Sequence, residues 1–419
     1  MNATAFLQSA YHAAVQAAQP EQAVPAFLPR APAGRTVVIG AGKAAAGMAR
    51  AVERHWNGAL TGVVVTRFGH ARGEGTRHVR VLEAAHPVPD TSGVLATQGV
   101  LEATQGLTQE DVVLCLLSGG GSALLTAPWG ITLAEKADLT RALLGSGASI
   151  HEINAVRKHL SRVKGGQLAR ACQPARVVSL IVSDVVGDDL SVIASGPTAP
   201  DPSTFTDALA ILDRYGIQAI AARRHLTRGA LGELPETPKP ADAIFHRVEN
   251  HLIVTNATAL EAARRELERA GLTVRVLSDA VQGPARRAAR EHARIARTLP
   301  DGGAVLSGGE TTTVVPAGAG RGGRNLEFLL ALALELQGEP RVYALAADTD
   351  GIDGSSDAAG AVVTPSTLAR ASRCGLDARA HLEDGNAHAF FERLGDLLVT
   401  GPTGTNVNDF RVVARLPEP

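Results

Sequence analysis

The sequence predicts an α/β protein of two domains, each a sheet with helices packed over it. Three observations lead there. Short runs rich in valine, isoleucine and leucine alternate with longer helical patterns. Glycines gather where those runs end and the helical patterns begin. The chain of 419 residues also exceeds what one hydrophobic core usually supports. Apolar runs without polar alternation, set between helices, mark a parallel sheet covered on both faces.

The first half reads in order as the strand RTVVIG, a helix over Lys43–Trp56, the strand GVVVT, a helix from Thr91, the strand DVVLCLLS, helices from Thr132 to about Ala171, and the strand RVVSLIVSD. GELPETPKPAD, from Gly232 to Asp242, carries three prolines and little periodicity, which suits an exposed linker. The expected domains are therefore 1–240, an N-terminal Rossmann-like α/β unit, and 241–419, a C-terminal α/β unit. In the second, alternation resumes with HLIVTNA, a helix over about Thr258–Ala270, LTVRVLSD, a helix over Pro284–Arg297, GAVLSGGE, a helix from Asn325, VYALAAD, a helix near Asn386, DLLVTG and a last strand FRVVAR.

Composition excludes several classes. A net charge of −1 lacks the basic surplus of a nucleic-acid binder, and 3% aromatic residues are too few for base-stacking platforms. Cys115, Cys172 and Cys374 are far apart and read as buried thiols of a reducing compartment. No run reaches the ~18 apolar residues of a membrane helix, and the first 29 residues lack the basic start of a secretory signal. The expectation is a soluble cytoplasmic protein acting on small molecules. A homodimer stays open, because apolar helix faces serve cores and interfaces alike.

Six segments carry candidate chemistry. VVIGAGKAAAGMA fits Gly-x-Gly-x-x-Ala at Gly40, Gly42 and Ala45, so backbone amides at a helix start could hold phosphate. Lys43 sits in the same turn, where an ammonium would meet an anion. The bland alternative is a tight strand-to-helix turn with a solvated lysine. Ser118, Gly119, Gly120, Gly121 and Ser122 form a turn stripped of Cβ atoms at three positions, an anion nest or a close backbone crossing. In HEINAVRKHLSRVKGGQLA, Asn154, Arg157 and Lys158 share a helix face, and Lys164 precedes two glycines; alone, such a run reads as a solvated basic face.

Asp184 closes an apolar strand, where open α/β sheets place ligands, and Asp188 and Asp189 follow in the loop. Ser307, Gly308, Gly309 and Glu310 read as a second Ser-Gly-Gly turn beyond a strand end, echoing the Ser118 segment. Lastly, Gly322, Gly323, Arg324 and Asn325 open a helix ahead of AADTDGIDGSSDAAG, which holds Asp348, Asp350, Asp353 and Asp357 among glycines. Arginine suits phosphate or carboxylate, and hard carboxylates suit magnesium. Asp348 and Asp350, nearest the strand end, are the better ligand candidates, whereas Asp353 and Asp357 suit capping and turning the backbone.

These motifs, IGAGKAA, LSGGGSALL, INAVRKHLSRVKGGQLA, IVSDVVGDDLSVIASGPTAPD, LSGGETTTVV, GRGGRNLEF and AADTDGIDGSSDAAGA, together resemble the glycerate 2-kinases whose C-terminal domain bears the MOFRL motif. The resemblance spans nearly the whole chain. It implies a Rossmann-like N-terminal domain, a smaller C-terminal α/β domain, an active site in the cleft between them, and ATP- and Mg2+-dependent phosphorylation of D-glycerate at its 2-hydroxyl. Lys43 and Arg324 match the family's suggested active-site positions. Leu326 stands where relatives commonly have glutamine, which puts a polar contact there in doubt.

On this reading Lys43 and Arg324 stabilise the transferring phosphoryl group or grip the glycerate carboxylate. The glycine turns, with Gly308, Gly309, Gly323 and Asn325, cradle ATP, and Asp189 orients or deprotonates the hydroxyl. Magnesium is held by some of Asp184, Glu310, Asp348 and Asp350. Two rivals remain: an NAD(P)H-dependent hydroxypyruvate reductase, since relatives often carry that label and Arg67 suits a 2′-phosphate, and a non-catalytic ligand sensor.

Overall fold

A computed structural model describes residues 3–71, 75–314, 318 and 320–417. Contacts divide the chain into two compact units, Pro20–Ile253 and Met1–Gln19 with Val254–Pro419. We call them the first and second units.

The sheet of the first unit has six strands, β1 (Thr36–Ala41), β2 (Thr61–Arg67), β3 (Val79–Ala84), β4 (Val112–Leu117), β5 (Arg176–Val182) and β6 (Val248–Val254), in the order β3-β2-β1-β4-β5-β6. The pairings from β3 through β5 are parallel. β1 and β4 are buried along their whole length, which is why they read as unbroken apolar runs. The strand order reverses between β1 and β4, the switch point at which open sheets leave a crevice beyond their strand ends.

The second sheet comprises β7 (Thr273–Pro284), β8 (Gly303–Thr312), β9 (Val342–Asp348), β10 (Gly360–Val363), β11 (Leu397–Leu398) and β12 (Asp409–Arg415), ordered β11-β10-β9-β12-β8-β7. Among the described residues only β7 and β8 pair in parallel here; the remaining pairings are antiparallel. The last strand, FRVVAR, lies inside the sheet between β8 and β9. The helices Ala285–Arg297 and Arg324–Leu336 supply much of the core with Ala288, Leu326, Phe328, Leu329 and Leu332. Phe328, Phe390 and Phe391 have no exposure and each contributes roughly 1.5–3 kcal/mol by burial.

The units differ from the expected 1–240 and 241–419 division in two ways. HLIVTNA was expected to open the second domain, but β6 completes the first sheet. Glu249 takes a bidentate pair from Arg176 at 2.8 and 3.0 Å, and Thr198 donates to Asn250 at 2.7 Å. The helix Ala3–Ala17 belongs to the second unit, where the Tyr11 hydroxyl donates to the Asp348 carbonyl at 2.9 Å.

The proline-rich segment from Gly232 is not a linker between units but a tethered loop of the first. Buried Thr237 donates to Asp201 at 3.0 Å, and the Pro238 carbonyl accepts from the Asp201 amide at 2.9 Å. β3 was missed because Arg80 and Glu83 interrupt its apolar run, and β10 because it is only four residues long. Cys115 and Cys172 are buried as expected, while Cys374 is exposed. Among the described residues no helix is long and apolar enough to cross a membrane.

Candidate active site

In the first unit the ends of several strands converge on the turn after β4. Gly40 (φ 150°) and Gly42 (φ 145°) are imposed by that neighbour, since a Cβ would stand 1.9 Å from the Leu116 carbonyl oxygen and 2.0 Å from Ser118 Oγ respectively. The amides of this first turn are already engaged. Gly42 donates to Val65 O at 3.0 Å, Lys43 to Gly119 O at 2.8 Å and Ala44 to Ser118 Oγ at 3.0 Å. The expectation that Gly40 and Gly42 cradle phosphate is therefore corrected: they permit close packing of β1 on β4, and the side chain of Lys43 is what the turn presents.

Ser118 is buried and holds the Ala44 amide, so its hydroxyl is structural. Beyond it, Gly120 has φ 80°, and among the described residues neither the Gly119 nor the Gly120 amide has an acceptor. This is the anion nest. Three side chains border it. Lys43 Cγ lies 3.5 Å from the place a Cβ would take on Gly120, and the His86 ring edge lies 3.0 Å (Cδ2) and 3.1 Å (Nε2) from the same place. Asp184 Oδ2 lies 2.0 Å from the Cβ position of Gly119, so its carboxylate rests directly on that α-carbon.

Behind the nest the expected ligand-binding residues are mostly structural. Ser122 Oγ meets Ser195 Oγ at 2.8 Å, and Ser195 donates to Asn154 Oδ1 at 3.1 Å. Gly121 gives room to Ala194, whose Cβ is 2.8 Å from the added atom's place. Lys158 pairs with buried Asp201 at 3.4 Å. Lys164, with no exposure, donates to the Ser122 and Leu125 carbonyls at 2.8 and 3.0 Å, and burial pushes its ammonium well below the usual lysine range.

Arg157 reaches the Ser122 carbonyl only at 3.5 Å. Lys136, absent from the sequence reading, donates to Thr126 Oγ1 at 2.9 Å, and burial, then Arg157, brings it down to about 7. Asp189 is exposed and accepts the Ser191 amide at 2.8 Å, a turn-forming contact.

The second unit is organised around Arg324. Its Nε donates to Asp409 Oδ1 at 2.6 Å, Nη1 to Glu310 at 3.1 Å and Nη2 to Asp348 Oδ2 at 2.8 Å. Burial works against this cation, yet Asp409 and Asp348 raise its pKa. Asp348 is itself pushed well above the usual carboxylate range by burial and then by Asp350. Asp409, fully buried, goes the other way: burial opposes ionisation, but Arg411 and Arg324 hold it low. Sequence reasoning missed Asp409 and Arg411; their signal was a pair of opposite charges at either side of Phe410 in the last apolar run.

Asp353 accepts from the amides of Asn325 at 3.1 Å and Leu326 at 2.9 Å, capping the helix Arg324–Leu336, and its Cγ lies 2.3 Å from a Cβ placed on Gly323. Asn325 is buried and donates to Asp409 at 2.8 Å, a structural contact in place of a substrate one. Asp357 pairs with His388 and Arg321, both at 2.9 Å. Leu326 is fully buried in the apolar core, so its departure from glutamine costs no polar contact there.

One expectation fails outright. Gly308 and Gly309 are not a turn: β8 runs through them to Thr312, paired with Phe410 and Asp409 on one side and, at Gly309, with Val281 on the other. A Cβ on Gly308 would lie 1.7 Å from Asn256 Oδ1, which is why glycine stands there. The echo of the Ser118 turn is thus one of letters only. The carboxylates expected to offer magnesium ligands have protein partners in this structure. Glu310 and Asp348 bind Arg324, and Asp350 Oδ1 holds the Ile352 amide at 2.9 Å. No group of three or more potential ligands occurs among the described residues.

Residues 6–227 match a domain of unknown function, DUF4147, and residues 303–409 match the MOFRL family. A D-glycerate 2-kinase of Thermotoga maritima is 42% identical, covering 94% of each chain. A protein of Agrobacterium vitis, provisionally named a hydroxypyruvate reductase, is 48% identical over 99% of this chain and 94% of its own. The crystal structure of a glycerate kinase from Thermotoga maritima superposes with a TM-score of 0.90 at 39% identity, covering 99% of both chains.

Proposed function

The chain belongs to the MOFRL-domain glycerate 2-kinase family, and from that premise we propose that it transfers the γ-phosphoryl group of ATP to the 2-hydroxyl of D-glycerate, giving 2-phosphoglycerate and ADP. The observation that carries the reading is the nest after β4. Two amides without acceptors among the described residues, a lysine and a carboxylate meet at one strand-end turn. Phosphoryl transfer needs positioning and charge neutralisation more than covalent chemistry. Lys43 and the Gly119 and Gly120 amides supply donors for phosphoryl oxygens. Asp184 is the proton acceptor we assign: as the 2-hydroxyl oxygen bonds to phosphorus and the bond to the ADP oxygen breaks, the hydroxyl proton passes to its carboxylate. Arg324, a cation held among three carboxylates, is assigned to charge on the phosphoryl group or the glycerate carboxylate.

Magnesium commonly keeps several waters and is bound through substrate phosphates with one or two carboxylates. One or two of Asp184, Glu310, Asp348 and Asp350 would hold it, and it would neutralise charge on the phosphates. The reductase reading loses its physical basis in the first turn. A pyrophosphate cradle needs the amides that Val65, Gly119 and Ser118 already occupy.

The deciding experiment follows ADP from ATP and D-glycerate with and without magnesium, beside NADPH oxidation with hydroxypyruvate. ADP formation dependent on glycerate, with 2-phosphoglycerate as product, is the expected result. Hydroxypyruvate-dependent NADPH oxidation without ADP formation would overturn it.

A further inference from the structure

His86 follows β3 at the same end of the sheet as Lys43, Ser118 and Asp184, yet neither its neighbours nor the mechanism above give it a task. Its Cδ2–Nε2 edge lies against the α-carbon of Gly120, at 3.0 and 3.1 Å from where a Cβ would be. Any side chain at position 120 would displace the ring, so the glycine makes room for an imidazole directly over the nest. The loop carrying it is tied down, because Asp90 Oδ1 accepts from the Ala85 amide at 3.2 Å and from Gly93 at 3.0 Å. Among the described residues no hydrogen bond to either imidazole nitrogen is formed. A half-buried, fixed imidazole without a partner, beside two amides that also lack acceptors, is a set of donors aimed at one place.

Resting on the kinase reading, we propose that His86 is a further substrate-binding residue, a neutral imidazole whose Nε2–H donates to an anionic substrate oxygen held by Lys43 and the Gly119 and Gly120 amides. Two substrate groups have that chemistry, a phosphoryl oxygen of ATP and the carboxylate of glycerate. The ring's surroundings support the neutral form: burial, then Lys43, Arg67 and His70, bring its pKa down to about 4. A neutral imidazole still donates one hydrogen bond, and hydrogen bonds to charged acceptors are the strong ones.

The test compares the parent with His86→Ala and His86→Gln, each checked for an unchanged melting temperature. His86→Ala should lower kcat/KM by about 10- to 100-fold. The rise in KM falls on ATP if the oxygen is phosphoryl and on D-glycerate if it is carboxylate. His86→Gln, which restores an N–H donor, should recover part of the loss. The ratio of parent to His86→Ala rates should stay flat between pH 5.5 and 8.5. Kinetic constants within threefold for both substrates overturn the proposal, and a ratio climbing steeply below pH 6.5 overturns its neutral form.

If the parent makes no ADP from glycerate, the kinase reading fails separately and calorimetric titration decides His86. At least tenfold weaker binding of ATP or of D-glycerate to His86→Ala supports it. Equal binding of both, or binding of neither to the parent, overturns it.

Discussion

Arg324 Nε donates to Asp409 Oδ1 at 2.6 Å, while the other oxygen of Asp409 accepts from Arg411, so one carboxylate with no exposure lies between two guanidiniums. Removing Arg324 leaves Asp409 with Arg411 and takes the guanidinium from buried Asp348, and a buried carboxylate that loses its cation is costly. Arg324→Ala should therefore destabilise the second unit by about 3–5 kcal/mol as well as reduce turnover. Arg324→Lys should recover little, because one ammonium cannot serve Asp409, Asp348 and Glu310 as a planar fork does. Denaturant titration beside activity per folded molecule separates the effects. A fully stable Arg324→Ala protein that merely loses turnover would contradict the structural half.

Lys43 presents its side chain over a turn whose backbone bonds do not depend on it. Lys43→Ala should keep its melting temperature and lose roughly 100- to 1000-fold in kcat/KM. Near-normal turnover would remove the residue from the mechanism.

Ser118 offers a sharper choice between roles. Because its hydroxyl accepts the Ala44 amide at 3.0 Å, Ser118→Ala should lower stability by about 1–3 kcal/mol while turnover falls less than about tenfold. A loss of a million-fold order, as for a nucleophilic serine, would show that the hydroxyl reacts.

His292 is buried and bonded through Nδ1 to Ala288 O at 2.7 Å and through Nε2 to Ser307 Oγ at 2.8 Å. Burial, with a further push from Arg411, lowers its pKa to about 4. The unfolded chain then binds the proton first, near pH 6.5, so stability falls as pH drops from 6.5 towards 4, by ~3 kcal/mol in total. Asp353, raised to about 6 by burial, titrates in the same window with the opposite sign. The comparison to make is parent against His292→Asn across pH 4 to 7. The stability advantage of the parent should shrink on acidification, and a constant gap would refute the assignment.

Much of the site was legible where local chemistry and position coincide. Lys43, the Gly119–Gly120 turn and Asp184 all follow apolar strands, and strand ends are where an open parallel sheet leaves space. Gly308 and Gly309 carry the same Ser-Gly-Gly letters and were misread, since whether such a segment turns or continues depends on flanking strands. Here β12 and β7 keep it extended. Lys158 and Lys164 were misread for a related reason: a basic residue on a helix does not reveal whether Asp201 or a carbonyl waits for it. His86 was overlooked because it stands alone in the sequence, and Asp409 because its charge pair with Arg411 was passed over inside an apolar run.

The sequence by itself determined the two α/β units, the strand-end glycines and the presence of cations and carboxylates in number, because hydrophobic period and backbone freedom are properties of neighbouring residues. Tertiary structure alone decided how those charges are divided. It matched Arg324 with three carboxylates from β8, β9 and β12, which lie 14, 24 and 85 residues away. It also left the Gly119 and Gly120 amides without acceptors beneath His86. Pairing energies depend on distance and burial, and neither can be read along a chain.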